Sequence, residues 1–288
     1  MRGGWIVELD IRRFFDALDH GHLRAILHQR VRDGVLLRLI GKWLKAGVLE
    51  QAGGVIHPPT GTPQGGVISP MLANIYLHEV LDTWFERSVK PKLRGPAHLV
   101  RYADDAVLVF AREEDARRVL AALPKRFAAF GLSLHPEKTR LVEFRRPPDQ
   151  PGPGGSPRSF DFLGFTHFWG RSRKGNWVVR RKTAKDRFSR AVHVANQWCR
   201  NHRHLPVQDQ HRALSRKLLG HYAYYGITGN WVALQRLLFM VQIVWKRWLN
   251  RRSQRRAMPW DRFNRLLKRY PLPPPRVVHS VYTRAARP

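Results

Sequence analysis

The chain has 288 residues, 43% hydrophobic and 11% aromatic, which is enough to bury at least one full core and excludes a disordered tail or linker. Lys and Arg total 52 against 21 Asp and Glu, a net charge of +31 that would repel itself without a polyanionic partner; nucleic acid leads. The charge is uneven: residues 1–170 carry 24 basic and 18 acidic side chains, whereas residues 171–288 carry 28 basic and only 3 acidic.

Cys199 is the only cysteine, which excludes a disulfide framework and a thiolate zinc cage and fits a reducing cytoplasm. With His202 and His204 it makes one ligand too few for structural zinc, so the three read as polar positions on a basic helix. The N-terminus has no basic segment followed by an apolar run, and the longest apolar stretch, Leu237 to Trp245, is about half of a bilayer span. Neither secretion nor membrane insertion is expected.

Trp5 to Ile11 reads as a short, mostly buried strand with Asp10 at its C-terminal edge. After Asp19, a plausible N-cap, Leu23, Ile26, Leu27 and Val31 recur at helical spacing, and Leu36, Ile40, Trp43 and Leu44 do so before Gly47. Gly61 to Gly66 is a loop, and Ser69-Pro70 starts a helix, with Ser69 as cap and Pro70 in the first turn, running through Leu77, Leu81 and Trp84. His98–Tyr102 and Ala106–Phe110 are two apolar runs flanking Ala103-Asp104-Asp105, which predicts a hairpin with acids at its turn. A helix over 113–130 ends at Gly131, and a strand covers Arg140 to Phe144. Pro147 to Pro157 is a Pro- and Gly-rich loop, and Phe160 to Phe168 is strand-like. Mostly helical sequence follows: helices over 184–203, 208–226 and 231–252, then a short basic helix ended by Pro271, Pro273, Pro274 and Pro275. This order is an α+β plan: residues 1–170 with a small antiparallel sheet, then residues 171–288 as a basic helical domain.

A strand-end acid and an acidic hairpin pair converge if strand and hairpin are sheet neighbours. Three carboxylates in one small volume call for Mg²⁺, a hard cation that prefers oxygen. Two such ions about 3.5–4 Å apart activate an attacking 3′-hydroxyl and stabilise a leaving pyrophosphate.

The flanks of these acids carry a resemblance. Asp10-Ile11-Arg12-Arg13-Phe14-Phe15-Asp16 and Tyr102-Ala103-Asp104-Asp105 resemble the acidic palm motifs of the reverse transcriptases encoded by group II introns, which also act as maturases. Gly61-Thr62-Pro63-Gln64-Gly65-Gly66-Val67-Ile68-Ser69-Pro70 is similar to a signature of that family. Leu134-His135-Pro136-Glu137-Lys138-Thr139 resembles its later lysine motif, Phe162-Leu163-Gly164-Phe165 its primer-grip strand, and Leu214 to Gly226 its thumb or maturase domain.

The resemblance implies a polymerase palm followed by a helical thumb, and RNA-directed DNA polymerase activity with a maturase role. Asp10, Asp104 and Asp105 would be metal ligands, with the Ile11 carbonyl a fourth, for two Mg²⁺ ions or Mn²⁺ in their place. Lys138 would neutralise or protonate the leaving pyrophosphate. Phe15 would pack under the sugar and exclude a 2′-hydroxyl; Gln64 would face the incoming nucleotide, and Gly65 and Gly66 would allow close backbone approach. Partners would be intron RNA, template–primer and dNTPs, with Arg216, Lys217, Arg251, Arg252, Arg255 and Arg256 on nucleic-acid phosphates.

A full-length family member carries basic fingers before the first palm strand, whereas this sequence opens four residues ahead of it. Without fingers to clamp the triphosphate, weak polymerase activity is expected. The alternative is an RNA-binding splicing helper.

Overall fold

The structure is a computed structural model; it describes residues 3–45, 48–49, 55–56, 60–62, 67–148, 158–252 and 258–280. The chain divides into two compact units, Met1–Leu163 and Gly164–Pro288.

The first unit is built on a four-stranded antiparallel sheet. Its strands are β1 (Gly3–Leu9), β4 (Ala97–Tyr102), β5 (Asp105–Phe110) and β6 (Arg140–Arg145), in the order β4-β5-β1-β6. Two-residue strands β2 (Val48–Leu49) and β3 (Val55–Ile56) pair separately. The central strand β1 is buried along its length, as a strand with β5 on one side and β6 on the other must be.

Helices cover one face of the sheet. Short α1 (Phe14–Ala17) leads to α2 (His20–His28), where the Asp19 carboxylate accepts from His22 N at 2.7 Å, and to α3 (Gly34–Leu44), capped by Asp33. In α4 (Ser69–Leu77) the cap position belongs to Ile68, not Ser69. Ser69 already lies in the first turn and is buried, so the prediction of Ser69 as cap fails. Beyond Leu77 the helix widens into π-helical turns, His78–Thr83 and Phe85–Val89. Helix α5 (Glu113–Ala128) opens on three acids and closes on Lys125 and Arg126, matching the helix dipole. Its Asp115 is buried and accepts from the backbone of Arg94 and Gly95 at 3.0 Å, fastening the approach to β4.

Trp5, Val7, Leu9 and Ile11 join the helix-covered core with Leu72, Tyr76, Phe110 and Phe127. By strand alternation, Ile6, Glu8 and Asp10 point to the other face. There β7 (Phe160–Phe162) lies across β1: Phe160 meets Phe144 edge to face at 4.9 Å, and Asp161 N donates to the Glu8 carboxylate at 2.8 Å.

In the second unit, β8 (Phe165–Arg171) and β9 (Trp177–Thr183) form a hairpin, followed by α6 (Lys185–Asn201), α7 (Val207–Tyr225), α8 (Trp231–Asn250) and α9 (Trp260–Arg269). Two readings change here. The 160–168 strand is broken at Leu163 and Gly164, with φ of 50° and 74°, and β9 occupies sequence before the helix expected at 184, to which no strand was assigned.

Leu214, Leu218, Leu237, Val241 and Trp245 fill the helical core. Cys199 lies in it, 1% exposed, with burial pushing its thiol up to about 12; it is a small core residue rather than a polar helix position. Tyr222 and Trp245 are also core, whereas Trp231 remains exposed. Buried Gln210 donates to the carbonyls of His202, Arg203 and Leu205 and accepts from Trp245 Nε1, satisfying the C-terminal end of α6. Asn230 ties the α7–α8 turn to β9 through Thr183.

Candidate active site

The β1–β5 register pairs Leu9 with Ala106, so one step further Asp10 lies opposite Asp105. Directly opposed residues of an antiparallel pair share a face, with Cβ atoms about 4.5–5.5 Å apart. Asp10 and Asp105 therefore share the face away from the helices. Asp104 precedes Asp105 in the two-residue turn between β4 and β5, where Ala103 takes φ 53° and Asp104 does not have a positive φ. Two-residue hairpins favour glycine at such a position, so an alanine there stores local strain.

Arg101 fixes this turn. Its guanidinium donates to both Asp82 carboxylate oxygens, at 2.7 and 2.6 Å, to Asn74 Oδ1 at 2.9 Å and to the Ala103 carbonyl at 2.8 Å. One half-buried fork thus joins the acidic turn to α4 and the π-helical segment after it.

The lysine motif reaches the same place. His135 N donates to the Asp10 carbonyl at 2.8 Å, Arg12 N donates to Ser133 O at 2.8 Å, and Ile11 bridges Leu134 between them. In this pattern the N–H and C=O of Ile11 itself face away from Leu134, towards the β5 side. Thr139 Oγ1 lies 3.4 Å from both Asp10 N and Asp10 O, and Lys138 Nζ is 3.4 Å from Asp10 Oδ2. A cation here offsets the repulsion of neighbouring carboxylates.

Two residues below Asp10 on the same face, buried Glu8 forms an ion pair with Arg140 and accepts from Asp161 N. The hydrogen bond to Glu8 raises the Arg140 pKa still further.

Phe15 is half-buried against the core, its ring 5.3 Å from Phe14. Its carbonyl accepts from Thr62 N at 2.8 Å, and Gly61 N donates to Leu18 O at 2.7 Å, docking the start of the Gly-rich loop on α1. Gln64, Gly65 and Gly66 lie outside the described residues, as do Arg255 and Arg256. Arg216, Lys217, Arg251 and Arg252 are exposed in the second unit. The Arg251 guanidinium sits 5.0 Å over Trp248, and Arg252 donates to the Arg203 and Leu205 carbonyls.

Asp10 and Lys138 therefore come together, and continuation of the β1–β5 register brings Asp105 to Asp10, with Asp104 in the adjoining turn. Arg101, Asp82 and Asn74 were given no role in the sequence reading, and Thr139 entered it only as the end of the lysine motif. Arg101 directly precedes the acidic motif and Thr139 closes the lysine motif, but neither position reveals the partner it holds; Asp82 and Asn74 carry no local signal.

Residues 2–167 match the family described as reverse transcriptase (RNA-dependent DNA polymerase). The chain belongs to the reverse transcriptase family. Group II intron-encoded protein LtrA of Lactococcus lactis subsp. cremoris is 36% identical over 133 residues, 42% of this chain and 22% of LtrA. Protein YkfC of Escherichia coli (strain K12) is 38% identical over 173 residues, 49% of this chain and 44% of YkfC. The chain thus spans less than half the length of these curated relatives. Apo telomerase from Candida Tropicalis aligns with 93% of this chain and 45% of its own, at 13% identity and a TM-score of 0.49.

Reverse transcriptases use divalent metal ions. The local donors suit one in kind: the carboxylates and the Ile11 carbonyl are hard oxygen ligands at one end of the sheet. Among the described residues no three His, Cys, Asp or Glu side chains already converge as a metal cluster. Asp10 instead holds Lys138. No helix of the described residues is long and apolar enough to cross a membrane.

Proposed function

We propose that the chain is an RNA-directed DNA polymerase of the group II intron type, with a maturase role, working by two-metal nucleotidyl transfer. The observation that supports this reading is the β1–β5 register, Leu9 with Ala106, whose continuation leads Asp10 to Asp105 beside the turn of Asp104. Mg²⁺, or Mn²⁺ in its place, would be held by Asp10, Asp104, Asp105 and the Ile11 carbonyl, and would supply Lewis-acid activation of a primer 3′-hydroxyl and charge neutralisation at the phosphate.

The chain's own residues do the rest. Arg101 holds the acidic turn against the helices, so the carboxylates need little reorganisation during reaction. Lys138, beside Asp10, would neutralise or protonate the leaving pyrophosphate. Phe15, tied to the Gly-rich loop through its carbonyl, would exclude a ribose 2′-hydroxyl, and Gln64 and Gly65 would meet the incoming dNTP. Arg216, Lys217, Arg251, Arg252, Arg255 and Arg256 would bind phosphates of template–primer and intron RNA.

The charge of residues 171–288 favours a second reading, an RNA-binding splicing helper without polymerase activity. Primer extension on an RNA template with Mg²⁺ separates the two. Incorporation of dNTPs by the chain, abolished in Asp104→Ala, supports the polymerase; RNA binding without incorporation leaves the helper.

A further inference from the structure

The second unit contains a cavity of about 360 Å³ between α6, α7 and α8. Its floor is apolar, made by Leu214 and Leu218 of α7 and Leu237 and Val241 of α8, all at most 3% exposed. Its rim is cationic, made by the exposed Arg187 and Arg190 of α6 and Lys217 of α7. Arg187 has Asp186 at 3.4 Å, an exposed pair, whereas Arg190 and Lys217 have no carboxylate partner among the described residues.

One wall is aromatic. The His221 ring stacks on Tyr225 with centroids 4.4 Å apart and planes 24° from parallel. His221 Nε2 is buried and has no hydrogen-bond partner among the described residues. Burial lowers the pKa of this ring to about 4, so at neutral pH it is uncharged and offers one donor and one acceptor. Buried polar atoms are nearly always satisfied, so Nε2, open beside the cavity, is available to a hydrogen-bonding group that enters it.

These surroundings narrow the occupant. A bare phosphate would find cations but would have to sit on leucine and valine, at a desolvation cost. A wholly apolar segment would fit the floor but would strip water from the arginines and lysine without pairing them. A flat body with hydrogen-bonding edges and anions on either side meets both demands. Unpaired bases of folded RNA are recognised in this manner, splayed out, stacked on aromatic rings and read at their edges. Extruding a base that has no partner costs little.

We infer that this cavity captures one unpaired nucleobase of a structured RNA, stacked by the His221–Tyr225 wall and held through its flanking phosphates by Arg187, Arg190 and Lys217. The inference rests on the reading of the second unit as RNA-binding, and it adds a base-recognition site to a surface otherwise defined by charge. Val194, 46% exposed and lining the cavity, offers a position where a large side chain would fill the space.

The test uses the full chain and three labelled RNA hairpins with one stem: fully paired, with a single bulged adenosine, and with an abasic nucleotide at the bulge. Fluorescence anisotropy should show the adenosine bulge bound roughly tenfold more tightly than either of the others, the scale of one base–aromatic stack. Val194→Trp and His221→Ala should each bring that ratio close to one, with far-UV circular dichroism confirming a folded helical unit. If Val194→Trp does not fold, His221→Ala decides. An abasic bulge bound as tightly as the adenosine bulge, equal binding of all three hairpins, or a ratio that survives the substitutions overturns the base pocket alone. Failure to bind any hairpin instead overturns the RNA-binding reading beneath it.

Discussion

Arg101 and Asp82 form a two-pronged ion pair, Nε to Oδ1 at 2.7 Å and Nη2 to Oδ2 at 2.6 Å, with the arginine side chain only 12% exposed. The same guanidinium donates to the carbonyl of Ala103, so the pair anchors the turn that carries Asp104. Arg101→Ala leaves Asp82 without its main partner and should cost about 2–3 kcal/mol in urea unfolding. Arg101→Lys should restore little, because an ammonium cannot reproduce a planar fork and still reach the turn. In primer extension both variants should lose more in rate than in primer binding; equal losses would show that Arg101 supports stability alone.

Gly61 joins the Gly-rich loop to α1 at φ 89°, and a Cβ there would lie 2.8 Å from both the Phe15 and Asp16 carbonyl oxygens. Left-handed strain and this clash act together, so Gly61→Ala should destabilise the fold by about 1–3 kcal/mol. Thermal unfolding should show a drop of several degrees in Tm. An unchanged Tm would mean that the loop is not docked on α1 as described.

Much of this architecture was legible because local signals and tertiary demands agreed. Asp19 caps the helix it precedes, and the apolar run of β1 is buried as read. Ser69 was misassigned because Ser-Pro fits both the cap and the first turn, and the backbone of Ile68 settles which. Strand β9, Trp177–Thr183, escaped because Arg180, Arg181 and Lys182 dilute its apolar alternation; pairing with β8 holds it, and no sequence window contains that partner. At the candidate site the acids and Lys138 could be named from motifs. Their fastening by Arg101, Asp82 and Thr139 could not, because hydrogen bonds spanning 19 and 129 residues leave no local pattern.

His221 gives the second unit a pH dependence whose sign is fixed. Burial depresses its pKa from 6.5 to about 4, so between these values the unfolded chain binds a proton that the folded chain refuses. Stability should be fully present above about pH 6.5, fall as the solution is acidified, and level off below about pH 4. The depression corresponds to at most about 3 kcal/mol, less for the part of the ring that water reaches. Urea midpoints measured from pH 7 to 4 should fall for the chain relative to His221→Phe, so that the two curves separate on acidification. Parallel curves would show that the ring does not titrate as its burial requires.

Lys138 and Asp10 sit 3.4 Å apart with 61% and 36% of their side chains exposed, so the pair itself should add less than about 1 kcal/mol to stability. Lys138→Ala should therefore fold normally, which leaves catalysis as the place where the residue can matter. Its position is set by the backbone, through the bond from His135 N to the Asp10 carbonyl and by Thr139, rather than by the ion pair. If Lys138 assists the leaving pyrophosphate, removing it should slow single-nucleotide incorporation about a hundredfold at unchanged template–primer affinity. Lys138→Arg separates charge from proton transfer: a guanidinium neutralises the phosphate but does not release a proton near neutral pH. Recovery of most of the rate in the arginine variant assigns the role to charge, and recovery of none assigns it to the proton. Wild-type rates in Lys138→Ala would reduce the residue to a surface lysine.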